Sequence, residues 1–390
     1  MAREVSVQAA ETIDGGSPRQ ATGRAAVTVN ADSPRMEVRQ LPVREPGPGE
    51  VLVRIALATI CGSDLHMWRG EVPWFQKAPG IQGHEMVGSV VALGPGRATD
   101  SLGRPLQVGD RVAYAYFMPC GECPACMSGT TGCPNRYRFR NPYTADERPF
   151  LGAYADYYVV QPGQWLFKVP DELSDALVAP VNCALAQVVY GLHQVRVWLG
   201  DTVVVQGAGG LGLYCVAVAR DMGAGKIVAI DGVPERLDLA RAFGADETID
   251  IRQVGDQAER VRLVRDATAG HGADLCVEVA GVPGVVQEGL EMLRTGGRYL
   301  WMGNIVPGAA ARIVPHDATR QPKMILGVLA YDRWVIPRAL DWLVRAQHRY
   351  PLERLVSETF PLEQINEAFD QAEWNAGKGQ VGRIGISLAT

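Results

Sequence analysis

Between residues 202 and 329, short apolar runs alternate with helix-length amphipathic segments. The first run passes directly into Gly207-Ala208-Gly209-Gly210-Leu211-Gly212. No other feature constrains the fold as tightly. Residues 202–206, 226–230, 247–250, 273–279, 297–302 and 324–329 read as strands, and 211–222, 234–243, 256–267 and 285–293 as helices. Strands this apolar, separated by helices, are the mark of a parallel sheet buried on both faces. Pro234 suits a helix start, where its missing N–H costs nothing.

The glycines form GxGxxG between a strand and a helix. Gly207 permits the tight turn, Gly209 lets backbone approach a pyrophosphate, and Gly212 lets the helix pack against the strand. Free N–H groups and the positive helix end then face the anion. In a chain with 44 glycines the pattern alone is weak. The next strand strengthens it by ending in Asp231, where a carboxylate can accept hydrogen bonds from ribose hydroxyls and would repel a 2′-phosphate. The expected cofactor is NAD rather than NADP. Gly207, Gly209, Gly210, Leu211, Gly212 and Asp231 form its site. Arg236 is the nearest cation and the residue that argues for the phosphorylated form. Asp231 could instead be a helix-capping or turn carboxylate.

The first third is richer in β signals. Residues 51–57, 87–93, 110–115 and 154–160 are β-branched or aromatic runs bounded by Gly and Pro turns. After residue 330 come two amphipathic stretches, 335–347 and 362–373, then a strand-like 382–388. The α/β block therefore reads as inserted into a β-rich region. A length of 390 residues implies roughly two to three domains. A net charge of −5, without a basic block, argues against nucleic acid or an anionic membrane as partner. No uninterrupted run of about 18 apolar residues is present. Residues 1–24 carry Glu4, Glu11 and Asp14, lack an export signal, and read as a mobile extension. The expected location is cytoplasmic, with reduced cysteines.

Four of the eight cysteines, Cys120, Cys123, Cys126 and Cys133, lie within 14 positions. Four thiolates on one short loop suit tetrahedral zinc, and an all-cysteine set leaves no open position, so this zinc is structural. An Fe–S cluster uses the same ligands, though nothing else points to electron transfer. A second group is scattered: Cys61-Gly62-Ser63-Asp64-Leu65-His66, then Gly83-His84-Glu85, then Cys183. Two cysteines and one histidine can hold a catalytic zinc with one open position. Spacing does not select these residues, because a buried cysteine is usually packing and a lone histidine a hydrogen-bonder.

Taken together and in order, these motifs resemble the zinc-dependent alcohol dehydrogenases of the medium-chain dehydrogenase/reductase superfamily. The resemblance runs from about Ala25 to Ser387. It implies an α/β protein with a GroES-like β-rich catalytic domain (25–185 and 329–390) and a Rossmann dinucleotide-binding domain (186–328). It implies NAD, two zinc ions per chain, a small alcohol or carbonyl substrate, and a homodimer or homotetramer. Cys61 and His84 correspond to catalytic zinc ligands, Glu85 to the adjacent acid that can exchange with water, and Cys183 to the third ligand. Glu85 or water completing the shell is the alternative to Cys183. Ser63 corresponds to the hydroxyl that hydrogen-bonds the alcohol, Asp64 to the acid orienting His84, and His66 to the end of a proton relay. Arg383 corresponds to a basic residue that meets the pyrophosphate, a surface arginine being the alternative. The spacing from Cys126 to Cys133 is one residue shorter than usual, which puts closure of that site in question. Trp68, Trp74, Phe75, Tyr116 and Phe117 flank the zinc motifs. They point to a hydrophobic, bulky or cyclic secondary alcohol, with core packing as the alternative for each ring.

Overall fold

The computed structural model describes residues 21–29, 35–72, 79–129, 132–140, 143–303, 306–308, 310–378 and 382–388. Trp74, Phe75 and residues 1–20 of the expected extension lie outside the described residues.

Six parallel strands run in the spatial order Glu247–Asp250, Lys226–Asp231, Thr202–Gln206, Ala273–Glu278, Leu293–Trp301, Met324–Gly327. The chain builds outward on one side of Thr202–Gln206 and then jumps to the other. The crossovers therefore reverse between Thr202–Gln206 and Ala273–Glu278. In doubly wound sheets a ligand binds at this reversal, outside the carboxyl ends of the strands. Val203, Val204, Val205, Leu275, Cys276 and Val277 are fully buried there, as two helix-covered faces require. Gly210–Met222, Pro234–Ala242, Gln257–Asp266 and Val285–Met292 supply the helices.

A second, seven-stranded sheet carries the β-rich part. Arg383–Ser387 lies between Val356–Pro361 and Val51–Thr59, and Glu85–Leu93, Arg111–Tyr114 and Leu166–Lys168 follow. Tyr157–Val160 also pairs with Val51–Thr59. The end of the chain thus returns to its first third, with Gly385 opposite Thr59.

A third sheet joins Met36–Pro42, Thr22–Thr28 and Gly80–Ile81. Thr22–Thr28 corrects the expected extension, which was drawn to residue 24. Arg24 donates to Asp156 through its backbone N–H (2.7 Å) and its guanidinium (2.7 Å). The run TGRAAVT has no aromatic residue, and Gly23, Arg24, Ala25 and Ala26 separate Thr22 from Val27 and Thr28, so its strand signal in sequence is weak. Val356–Pro361 and Leu166–Lys168 are also strands that the sequence pattern did not single out.

The 20-residue helical stretch Asp175–Gln194 contains an 18-residue window of mean hydropathy 1.4, long and apolar enough to cross a membrane by composition. Most of it is buried inside the protein. It packs against Gly210–Met222, Val335–Ala346 and Glu85–Leu93. At Val181–Leu185 it widens into a π-turn, with Leu185 donating back to the Pro180 carbonyl. Such widenings often re-aim a functional side chain, and Cys183 sits at the middle of this one.

Candidate active site

Cys61 caps the helix Gly62–Trp68, just beyond the strand Val51–Thr59. His84 immediately precedes the strand Glu85–Leu93, in which Glu85 pairs with Thr59. Adjacent antiparallel strands therefore bring Cys61 and His84 side by side. The π-turn delivers Cys183 from the helix beneath. The ligand atoms of Cys61, His84, Glu85 and Cys183 all lie within 4.8 Å of one another, and all four residues are buried. This donor set suits a catalytic zinc.

The buried Asp64 fixes the group. Its Oδ1 lies 3.1 Å from His84 Nδ1, and its Oδ2 accepts from the Cys61 N–H (2.9 Å) and the Tyr154 hydroxyl (2.9 Å). A carboxylate on Nδ1 leaves Nε2 as the donor atom, the usual second contact of a metal-binding histidine. Tyr154 escaped the sequence reading because it sits in an ordinary strand-like run.

Glu85 is held on one oxygen. Oε2 accepts from Thr59 Oγ1 (2.6 Å) and from Arg383 (2.9 Å), whereas the buried Oε1 has no hydrogen-bond partner. Burial pushes this carboxyl up to about 8 despite Arg383. The Cys61 thiol is held well below its ordinary range, chiefly by a hydrogen bond from Cys183, with Arg383 and His84 adding positive charge. The orphan Oε1 beside two sulfurs and an imidazole is what a cation would satisfy.

Arg383 stands between the donor group and the glycine turn. It is neither a surface arginine nor aimed into open solvent: it is a buried ion-pair partner of Glu85. Its guanidinium also lies against the glycine turn, where a Cβ on Gly210 would come 3.2 Å from Nε.

Ser63 and His66 lie on the short helix and both line the cleft. Ser63 Oγ is 3.4 Å from His84 Nε2. His66 Nδ1 lies 2.5 Å from Glu71 Oε2, and this contact holds the Glu71 carboxyl below its usual range. Glu71, just past the helix end, had no motif to mark it. A partly exposed His–Glu pair at the cleft edge can pass a proton to solvent. His66→Ala is expected to lower kcat at neutral pH about 10²-fold, the usual scale for a positioned acid–base group. Partial recovery with added imidazole checks it.

The four sulfurs of Cys120, Cys123, Cys126 and Cys133 also lie within 4.8 Å of one another. Cys133 sits 3.6 Å from Cys120 and 3.9 Å from Cys123, sulfur to sulfur. The shortened loop thus still closes the cluster, and an all-sulfur set fits a structural zinc.

The glycine turn stands at the reversal of the parallel sheet. Gly207 adopts φ +101°, and a Cβ on Gly212 would lie 1.9 Å from the Gly207 carbonyl oxygen. Around Gly209 the space is open, the cradle a pyrophosphate needs. Asp231 braces this turn: Oδ2 accepts from Ala208 N–H (2.7 Å) and Oδ1 from Val233 N–H (3.0 Å). Arg236 stands 3.9 Å from the same carboxylate.

A cleft of about 1830 Å³ joins the two halves, with Ser63, His66 and Cys183 along one part and Leu211, Val279 and Met302 along another. Tyr116 lines it; Trp68 and Phe117 do not. Phe117 packs on Tyr331 (4.9 Å between centroids), and Trp68 on Phe369 (5.8 Å). Tyr137 and Trp334, not picked out individually from sequence, also line the cleft.

Residues 47–171 match the alcohol dehydrogenase GroES-like domain family, and residues 210–345 the zinc-binding dehydrogenase family. The chain is 36% identical to 5-exo-hydroxycamphor dehydrogenase of Pseudomonas putida, over 89% of this chain and 94% of that protein. It is 31% identical to sorbitol dehydrogenase of Bacillus subtilis, over 90% and 93%. This chain belongs to the zinc-dependent alcohol dehydrogenases. Its fold follows that of an alcohol dehydrogenase from Thermotoga maritima, with a TM-score of 0.87, 29% identity, and coverage of 94% of this chain and 99% of that one. As a member of this family it is an oxidoreductase acting on CH–OH, with catalytic and structural zinc sites and a nicotinamide dinucleotide cofactor.

Proposed function

We propose that this alcohol dehydrogenase interconverts a bulky, apolar secondary alcohol and its ketone, using NAD, as a cytoplasmic homodimer or homotetramer. The carrying observation is the cleft wall of Tyr116, Tyr137, Leu326, Val328, Leu329 and Trp334. Three of the polar side chains that line the cleft have partners within the protein. Gln187 donates to the Val328 carbonyl (3.3 Å), Asn135 to Cys120 (3.5 Å) and Arg138 to Glu122 (2.8 Å). A polyol would need polar groups free to match its hydroxyls, and discrimination of that kind is large when they are present. The hydroxycamphor dehydrogenase relative supports the apolar reading; the sorbitol dehydrogenase relative is its competitor.

Zinc and NAD, when bound, supply Lewis-acid polarisation of the alcohol oxygen and a hydride acceptor. Cys61, His84 and Cys183 would hold the metal, with the Oε1 atom of Glu85 in reserve. Asp64 keeps the His84 ring oriented. Ser63 takes the alcohol proton at Oγ, and His66, backed by Glu71, passes it outward. The glycine turn, with Val279 and Met302 lining the cleft beside it, would hold the dinucleotide.

The Asp231 carboxylate supports NAD over NADP, since it would repel a 2′-phosphate and it occupies Arg236. Asp231→Ala is expected to raise KM for NAD at least about tenfold, through loss of both the ribose contact and the Ala208 brace. A wild-type preference for NADP would overturn this assignment. The edge strand Met324–Gly327 leaves Met324 and Ile325 exposed, which supports a second copy as the cover. An NAD-coupled screen over aliphatic, aromatic, cyclic and polyol alcohols tests the substrate class. Higher kcat/KM on sorbitol than on any ring alcohol would reject it. A reductase running from ketone to alcohol is the second reading, and turnover measured in both directions at neutral pH separates the two.

A further inference from the structure

Two tyrosines flank the cysteine lobe symmetrically. Tyr116 stands four residues before Cys120, and Tyr137 four residues after Cys133. Their rings stack at 6.3 Å with an interplanar angle of 20°, and both line the cleft. The Tyr116 ring is 4.7 Å from that of His84. The catalytic donor group thus adjoins a two-ring wall whose members ride on the two arms of the lobe.

The arms are tied to each other and to the lobe. Met118 N–H donates to the Arg136 carbonyl (2.9 Å), and Cys120 N–H to Cys133 Sγ (3.3 Å). Asn135 Nδ2 donates to Cys120 Sγ (3.5 Å), crossing from the outgoing arm to the incoming one. Beyond Tyr137, the buried Arg140 donates to the carbonyls of Ile81 (2.9 Å) and Gly83 (3.2 Å), directly before His84. Tyr137 is therefore held between the cysteine cluster and the His84 segment. Opening the cluster would free one end of that span and with it the spacing of the rings.

We propose that the cysteine lobe is a specificity element, and that Tyr137 is the specificity-determining residue it positions. Closure of the four sulfurs sets the Tyr116–Tyr137 wall, and the wall favours bulky apolar secondary alcohols over small ones. The proposal rests on the apolar-substrate reading above. It adds that selectivity depends on the structural site, which contributes no atom to the reaction.

The test compares cyclohexanol with 2-propanol in wild type, Tyr137→Ala, Asn135→Ala and Cys126→Ser, with metal content and melting temperature measured on each. Tyr137→Ala is expected to keep two zinc ions and lower the cyclohexanol-to-2-propanol ratio of kcat/KM about tenfold, the scale of a lost apolar contact. Cys126→Ser is expected to lose one zinc and shift the ratio the same way. Calorimetric affinity for 1-methylcyclohexanol, which cannot be oxidised, should fall in both, with NADH affinity unchanged. An unchanged ratio in Tyr137→Ala overturns the proposal. So does an unchanged ratio in a folded Cys126→Ser that has lost its zinc. If Cys126→Ser does not fold, Asn135→Ala decides: a lowered ratio with both zincs retained supports the proposal, and a wild-type ratio overturns it. A wild-type enzyme that prefers polyols would reject the substrate class alone, because the shift between variants still reports what the lobe does.

Discussion

Cys183→Ala is expected to leave the protein folded with one zinc per chain instead of two, and to lower kcat/KM on the order of 10⁴-fold. The size follows from what the site must do. Developing negative charge on the alcohol oxygen needs several kcal/mol of stabilisation, and among the groups converging here only a cation supplies that much. Removing one of two sulfurs leaves Cys61, His84 and the Oε1 atom of Glu85. Glu85 is a poor replacement because its other oxygen is held back by Thr59 and Arg383. Metal analysis by mass spectrometry gives the stoichiometry directly. Two zinc ions in the variant would mean that Glu85 completes the shell and Cys183 only packs.

Above about pH 8, where Glu85 is ionised, Arg383→Met is expected to destabilise the protein by about 3–5 kcal/mol, the usual result of stripping one partner from a buried ion pair. Arg383 and Glu85 are both buried, and Glu85 Oε1 already lacks a partner. Without the guanidinium, Glu85 must either stay charged without compensation or take up a proton beside the metal donors. Denaturant unfolding of the metal-loaded protein measures the loss. The double variant Glu85→Gln with Arg383→Met should recover most of it, because no buried charge is then stranded. Equal loss in the single and double variants would show that Arg383 acts by packing alone. The same guanidinium lies against Gly210, so the single variant should also weaken NADH binding; the double variant should not restore that.

The parallel sheet was legible because its signal is local and repeated. Apolar runs, helix periodicity and the glycine turn all lie within short windows, and strands buried on both faces leave few other readings for a segment such as TVVVQ. The cysteine cluster was legible for the same reason, since its four sulfurs sit on one loop. Thr22–Thr28 was not: a run of small and polar residues becomes a strand only because Met36–Pro42 and Gly80–Ile81 pair with it. The catalytic group was intermediate. Its members were nominated by resemblance, whereas their spacing alone selected nothing.

By itself, the sequence determined the fold class, the dinucleotide turn and the metal site of the cysteine lobe, because each depends on residue types at fixed short separations; the second metal site was reached only through resemblance. Only the tertiary structure decided which distant groups meet. It brought Cys183 to Cys61 through a π-turn, gave Arg383 to Glu85 across 298 positions, set Tyr154 against Asp64, and stacked Tyr137 on Tyr116. Such contacts depend on strand pairing and crossover geometry, which bring residues together without leaving a spacing rule in the chain.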